Sequence, residues 1–572
     1  MDAFFHHSRL LRYRRPQGAA PCGSGVTIAA EHNGTLAGAQ VFLRLWQDGV
    51  GERLLPMSEQ GGLLTATVTL PDKPCLLWYF FVIHTTDGHT LYYGGSSGSG
   101  ALYKHEPPAW RITVYDGAFA TPDWFCEGIA YQIFPDRFRR SSWEALYQRA
   151  QAHRNRGRLL RLHDRWLEEP AYTPAPGCTD YAPDDFFGGD LNGIREKLPY
   201  LHGLGVTCLY LNPIFESASN HRYNTADYHA IDPLLGTEED FAALCAEARA
   251  LGIRIMLDGV FSHTGSDSRY FDRYSRYEEV GAYESRESPY YPWYSFRSWP
   301  DEYACWWNFP TLPNVEEMTP SYASFIAGEQ GVLAHWASRG ATSWRLDVAD
   351  EIAPRFLRRF REAVKAANPE ALIVGEVWHE AHDWLAGDRF DGVMNYGLTK
   401  ACLDLLAFGA IDARGFADRL VLLLMRCTDP ANEMMFNLLD SHDTERFLTR
   451  VKGDVRRLRL AMAVAFFLPG IPFLFAGDEI GVMGGYDPDC RRTFEWDRSR
   501  WDGELFRLAQ RLAALRRTAP LARGTAAVEE ENGVVRILRR HGGRRAELLI
   551  NPGEMPRGAF GASVSPMDFL IR

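Results

Sequence analysis

The chain has 572 residues, a formal net charge of −11 and a pI near 5.9. That balance argues against nucleic acid or an anionic membrane as the main partner, because both select basic surface. Apolar residues make up 46% and charged residues 24%, the composition of a globular protein with at least one large core.

The N-terminal stretch MDAFFHHSRLLRYRRPQG lacks the apolar run of a signal peptide. No segment approaches the about 20 apolar residues of a membrane span. The ten cysteines stand singly, with no CxxC pair, so zinc-binding and redox-motif readings are weak. Cys208 in VTCLYLN and Cys245 in a helical pattern read as small core residues. The expected compartment is the reducing cytoplasm, where the sequon Asn33-Gly34-Thr35 stays unused.

Residues 1–115 alternate short β-like runs (VTIAAEH, AQVFLRLWQD, LLTATVTL, CLLWYFFVIHTTD) with Gly, Asn, Asp and Pro, which predicts a β-sandwich. Gly94-Gly95-Ser96-Ser97-Gly98 matches G-x-S-x-G, but its flanks are β-rich and glycine-rich with no following helix, so it reads as a loop. From about Gly128 the pattern changes to strand–helix alternation. Eight apolar strand candidates follow: GIAYQIF, VTCLYLNPIF, IRIMLDGVF, TSWRLDV, ALIVGEVW, DGVMNY, MMFNLLDS and PFLFAGDEI. They predict an α/β fold, a (β/α)8 TIM barrel over residues 120–517. About eighty residues separate the third and fourth strands. Their aromatic-rich part, about 262–320, reads as an inserted subdomain walling a cleft. A second irregular stretch, Arg139 to Asp185, follows the first strand. Residues 518–572 have the runs of a small C-terminal β-domain packed on the barrel.

The fourth strand, read as Thr342 to Val348 and followed by a helix from Glu351 to Ala367, carries the most informative residues. Arg345 and Asp347 share one face near its C-terminal end, where barrel enzymes hold reacting groups. Opposed charges in a core strand are costly unless they pair or do chemistry. Asp347 reads as a carboxylate held ionised by Arg345, with a structural ion pair as the competing reading. Other strand ends add Asp258 and His263, Glu376, and His442 with Asp443. Paired acids in one cleft fit glycoside hydrolysis. Glu376, beside Val377 and Trp378, has the apolar setting of a general acid. Asp443 suits stabilisation of positive charge on a sugar ring. His263 and His442 have no ligand partner at i+4, so no metal site is indicated.

The blocks DGVFSHTG, WRLDVADE, GEVWHE and LLDSHD resemble the four conserved regions of the α-amylase family of glycoside hydrolases. YQIFPDRF, FFGGDLNGI, HRYNTADYHAIDP and FDGVMNY are similar to its neopullulanase, cyclomaltodextrinase and maltogenic amylase branch. The resemblance implies Asp347 as nucleophile, Glu376 as acid/base and Asp443 as transition-state stabiliser. It implies Arg345 as the arginine that orients the nucleophile, His263 and His442 at the sugar subsite, and Asp258 supporting Arg345. Tyr223 matches a ring stacked on that sugar and Trp378 an aromatic on the leaving-group side, core packing being the alternative for Trp378. Ser262 departs from the usual asparagine, and the loop after Asp136 lacks the Asn/Asp-dense calcium pattern, so no cofactor is expected to be required and a structural calcium is unsupported. The implied activity is a retaining α-glucan hydrolase acting on α-1,4 bonds, with α-1,6 bonds as a further candidate, in cyclodextrins, maltooligosaccharides or pullulan. The alternatives are an exo-acting α-glucosidase, an α-1,6 debranching enzyme and, remotely, a non-catalytic glucan-binding protein. The resemblance also implies a starch-binding-like N-terminal module, serving glucan binding or a homodimer.

Overall fold

A computed structural model describes residues 3–60, 62–171 and 183–572. Cys178 and part of the stretch between Arg139 and Asp185 lie outside the described residues. The frame is eight parallel strands: β1 (Ile129–Ile133), β2 (Val206–Leu211), β3 (Arg254–Gly259), β4 (Ser343–Leu346), β5 (Ile373–Gly375), β6 (Gly392–Val393), β7 (Phe436–Asn437) and β8 (Ile471–Phe475). Seven fall inside one of the eight apolar runs, and β8 begins one residue before its run. The hydrogen-bonded order is β6-β5-β4-β3-β2-β1-β8-β7. A parallel bridge between Met394 and Phe436, with the Asn395 N–H donating to the Phe436 carbonyl at 2.8 Å, closes β6 onto β7. The result is a (β/α)8 barrel.

The strands are apolar on both sides because both faces are covered. One apolar cluster fills the barrel interior and includes Ala130, Cys208, Tyr210, Met256, Val374, Phe436 and Phe473. A second, larger one lies between sheet and helices. Helix starts follow local chemistry. Thr237 and Asp240 form a reciprocal capping box before the helix Glu238–Ala250, and Asp454 caps Val455–Phe467.

Two sequence expectations shift. β4 stops at Leu346, and the next helix runs Pro354–Ala367, three residues later than Glu351. Pro354 holds Ala353 extended (φ −56°, ψ 126°) and takes the first helical position itself. The stretch after β1 is not wholly irregular, since it holds the helix Trp143–Asn155, capped by Ser142. Between β5 and β6 the chain forms only a short 3-10 turn, His382–Trp384.

The excursion after β3 is built on its own aromatic core. Phe271 packs edge-on to Tyr294 at 4.9 Å, and Tyr270 lies 5.3 Å from Trp293. Most of its rings are thus structural, and the excursion is stitched to the barrel where Val315 N–H meets the Ser262 carbonyl at 3.0 Å. Upstream, two largely antiparallel sheets sandwich Val26, Ile28, Leu43, Leu45, Val68, Tyr79, Phe81 and Ile112. The G-x-S-x-G stretch is the turn after the strand Thr90–Gly94, as its flanks imply. Downstream, four antiparallel strands lean on the barrel. There the buried Arg539 donates to the Phe467 carbonyl at 2.8 Å and the Gly524 carbonyl at 2.7 Å.

Candidate active site

Strand register assembles the site. Asp258 on β3 lies opposite Arg345 on β4, and Leu346 lies opposite Gly375 on β5, so Asp347 and Glu376 emerge side by side. The buried Arg345 guanidinium is the hub. Its Nη1 donates to Asp258 Oδ1 at 2.9 Å and to Asp347 Oδ1 at 2.8 Å. Its Nη2 forms an ion pair with Glu376 Oε1 at 2.9 Å. Glu376 Oε2 accepts the Val348 N–H at 3.0 Å, and Oε1 accepts the Trp378 indole N–H at 3.3 Å. Val348 has φ +44°, a region β-branched residues rarely enter; such strain collects at functional sites.

A second arc closes from β7 and β8. Asp443 Oδ1 accepts from Arg491 Nη2 at 3.3 Å, and Arg491 Nε donates to the His442 carbonyl at 2.8 Å. His442 Nε2 lies 3.2 Å from Asp443 Oδ2 and 2.6 Å from the Tyr223 hydroxyl. The Tyr223 and His442 rings are nearly parallel, 8° apart at 5.4 Å. Tyr223 and Tyr210 both donate to Asp258 Oδ2, at 2.8 and 2.6 Å. His263 stands apart on the excursion's side, with Nδ1 3.0 Å from Ser262 Oγ and its ring 5.6 Å from Trp306. Its Nε2 is buried without a protein partner. Trp306 in turn stacks on Trp307, which is 70% exposed, making an aromatic ledge out of the cleft.

Charge sets the proton inventory. Four carboxyls (Asp258, Asp347, Glu376, Asp443) face two guanidiniums, Arg345 and Arg491. Burial pushes all four up from the usual carboxylate range, and the arginines oppose it. This corrects the sequence expectation for Asp347. Burial, reinforced by Glu376, Asp258 and Asp443, outweighs Arg345 and raises Asp347 well above its ordinary value. The four carboxyls interact strongly, so their titration belongs to the set. Arg345 hydrogen-bonds Asp347 and pairs with Glu376, and in both it opposes the burial that raises them. Burial lowers both histidines, His263 to about 4 and His442 well below its ordinary value, so both are neutral near pH 7.

Eight of the nine residues singled out from sequence thus meet around Arg345 and His442, and His263 lines the adjoining wall. Trp378 is not core packing: it is 50% exposed and stacked on Tyr396 at 3.8 Å and 10°. Sequence reasoning missed Arg491, Tyr210, Tyr396, Gln132 and Asn212. Only Gln132, a lone amide in an apolar strand, and Arg491, in the charged loop DPDCRR after β8, carried a readable signal. Among the described residues no three His, Cys, Asp or Glu side chains are grouped to hold a metal ion.

The family description alpha amylase, catalytic domain, matches residues 132–511. The chain belongs to the α-amylase family. It is 37% identical over 557 residues to an amylopullulanase of Thermoanaerobacterium saccharolyticum, covering 86% of this chain and 43% of that protein. The chain thus spans less than half the length of that relative. A cyclomaltodextrinase of Thermoanaerobacter pseudethanolicus is 36% identical over 457 residues, covering 77% of this chain and 72% of that one. Among solved structures, the ligand-free cyclic alpha-maltosyl-(1→6)-maltose hydrolase of Arthrobacter globiformis has a TM-score of 0.71 at 33% identity. It covers 79% of this α-amylase-family chain and 99% of its own.

Proposed function

We propose that the protein is a retaining α-glucan hydrolase. The observation that carries this reading is the set of three acids, Asp347, Glu376 and Asp443, held by Arg345 and Arg491 at the C-terminal mouth of the barrel. Glu376 gives its proton to the glycosidic oxygen as the bond to the anomeric carbon breaks. Asp347 attacks that carbon and forms a β-glycosyl ester. Glu376, now ionised, takes a proton from water. The water oxygen displaces Asp347, and the product keeps its α configuration. Asp443 stabilises the positive charge that develops on the ring. His442 and His263, both neutral, offer hydrogen bonds to sugar hydroxyls. Two carboxyls on one guanidinium fit the short separation of retaining enzymes, about 5–5.5 Å.

The half-exposed Trp378 on the leaving-group side and the Trp306–Trp307 ledge support an open cleft for α-1,4-linked oligosaccharides. Cyclodextrins, maltooligosaccharides and pullulan are the proposed substrates, with α-1,6 cleavage as a second activity. Nine free cysteines among the described residues support a reducing, cytoplasmic setting.

The test is a product profile on β-cyclodextrin, maltotriose, pullulan and soluble starch, with anomer composition read by NMR. Ring opening with maltose release as the α anomer is expected, and Asp347→Asn should abolish it in a folded protein. Glucose as sole product would move the assignment to an exo-acting α-glucosidase. Turnover of none of the four would favour a glucan-binding protein.

A further inference from the structure

Gln132 is a polar side chain in the middle of a buried apolar strand, with no exposed surface. Such a group is costly unless it is hydrogen-bonded. Its Nε2 lies 2.9 Å from Asn212 Oδ1 and 2.8 Å from His442 Nδ1. Asn212 Nδ2 donates to the Tyr223 hydroxyl at 2.9 Å.

The directions of these bonds follow from one fixed point. Asp258, paired with Arg345, is an acceptor. The Tyr223 hydrogen therefore goes to Asp258 Oδ2, and its oxygen is left to accept from Asn212 and from His442. His442 Nε2 must then carry a hydrogen. In a neutral ring Nδ1 is consequently bare and needs a donor. Among the described residues the amide NH2 of Gln132 supplies it, and the same orientation satisfies Asn212 Oδ1. The choice leaves Gln132 Oε1 buried without a protein partner.

The geometry points to Gln132 as a positioning residue that fixes the proton of His442 on Nε2, so that a donor and not a lone pair faces Asp443. With the other tautomer, the Nε2 lone pair would confront Asp443 Oδ2 at 3.2 Å and the Tyr223 oxygen at 2.6 Å. That repulsion would displace Asp443 and remove a donor from the glycone side of the cleft. The relation is that of an outer hydrogen-bond partner setting the tautomer of a working imidazole.

The inference rests on the reading of this cleft as the glucan-cleaving site, and its test separates the two. Histidine ¹⁵N spectra of the full chain, with the His442 signal assigned by its loss in His442→Gln, read the tautomer without substrate. A protonated Nε2 and bare Nδ1 are expected in the wild type. Gln132→Glu should move the proton to Nδ1. Gln132→Met, which keeps the volume and removes both donors, should lower kcat on β-cyclodextrin by about ten- to a hundredfold with KM little changed. Gln132→Met remains decisive if Gln132→Glu does not fold. A wild-type His442 protonated on Nδ1, or full kcat in Gln132→Met, would overturn the inference. An inactive wild type with the expected tautomer would remove the hydrolase reading alone.

Discussion

Asp347 and Glu376 hang from one guanidinium in a buried cleft, and that shared support governs how each titrates. Their folded-state pKa values, and that of Asp443, are raised by burial. The native state therefore binds more protons than the unfolded chain above the ordinary carboxylate pKa of about 4. By linkage, stability falls as pH rises from there through the raised values. The site is a net cost to the fold at neutral pH, and removing one acid should relieve it. Glu376→Gln is expected to raise Tm by about 1–3 °C while lowering kcat by about 10²–10⁴-fold. Calorimetry and kinetics check both; a lower Tm would mean that Arg345 more than offsets the burial cost. Activity should also decline as pH rises through the raised range, because the cluster then loses its transferable proton. A flat alkaline limb would argue against a protonated carboxyl in the resting enzyme.

At the scale of elements, each barrel strand was legible from its apolar run, because a strand covered on both faces has little room for polar residues. Its polar exits were legible too: Asp258, Asp347, Glu376 and Asp443 each follow such a run. The turn after β4 was not. Its outcome depends on Val348 adopting φ +44°, which no propensity favours and which the hydrogen bond to Glu376 helps to hold. Val348→Gly is expected to stabilise the fold by about 1 kcal/mol and to lower kcat, since the N–H that orients Glu376 is held less firmly. Urea titration with parallel kinetics tests this; unchanged kcat would show that the strained turn does not orient Glu376. The role of Trp378 was open in sequence because an indole after a strand suits either core or cleft. Stacking on Tyr396, from the end of β6, with half of the side chain exposed, excludes core packing.

For the whole molecule, the N-terminal sandwich is anchored to the barrel where Arg9 pairs with Asp418 on the helix Ala413–Arg426. Trp46 and Leu54 lie exposed on one face of its larger sheet, with Arg44 stacked beside Trp46 at 5.2 Å. An exposed apolar face of this kind suits association with a second copy. The full chain is expected to elute as a dimer in size-exclusion chromatography, and the double change Trp46→Asp with Leu54→Asp as a monomer. A double variant that stays dimeric would return this face to the glucan-binding alternative.

The sequence by itself determined the barrel, its excursion and the placing of acids at the strand ends. These depend on local periodicity and on residues confined to strand ends, and both are written along the chain. Tertiary structure alone decided the electrostatics and the supporting cast. The raised carboxyls need side chains from β3, β4, β5 and β7 converging on Arg345 and Arg491. The hydrogen bonds of His442 need Gln132 from β1 and Tyr223 from the loop after β2. Those distances arise only when the sheet closes, because strand register, and not spacing in the chain, sets which charges share a low-dielectric cleft.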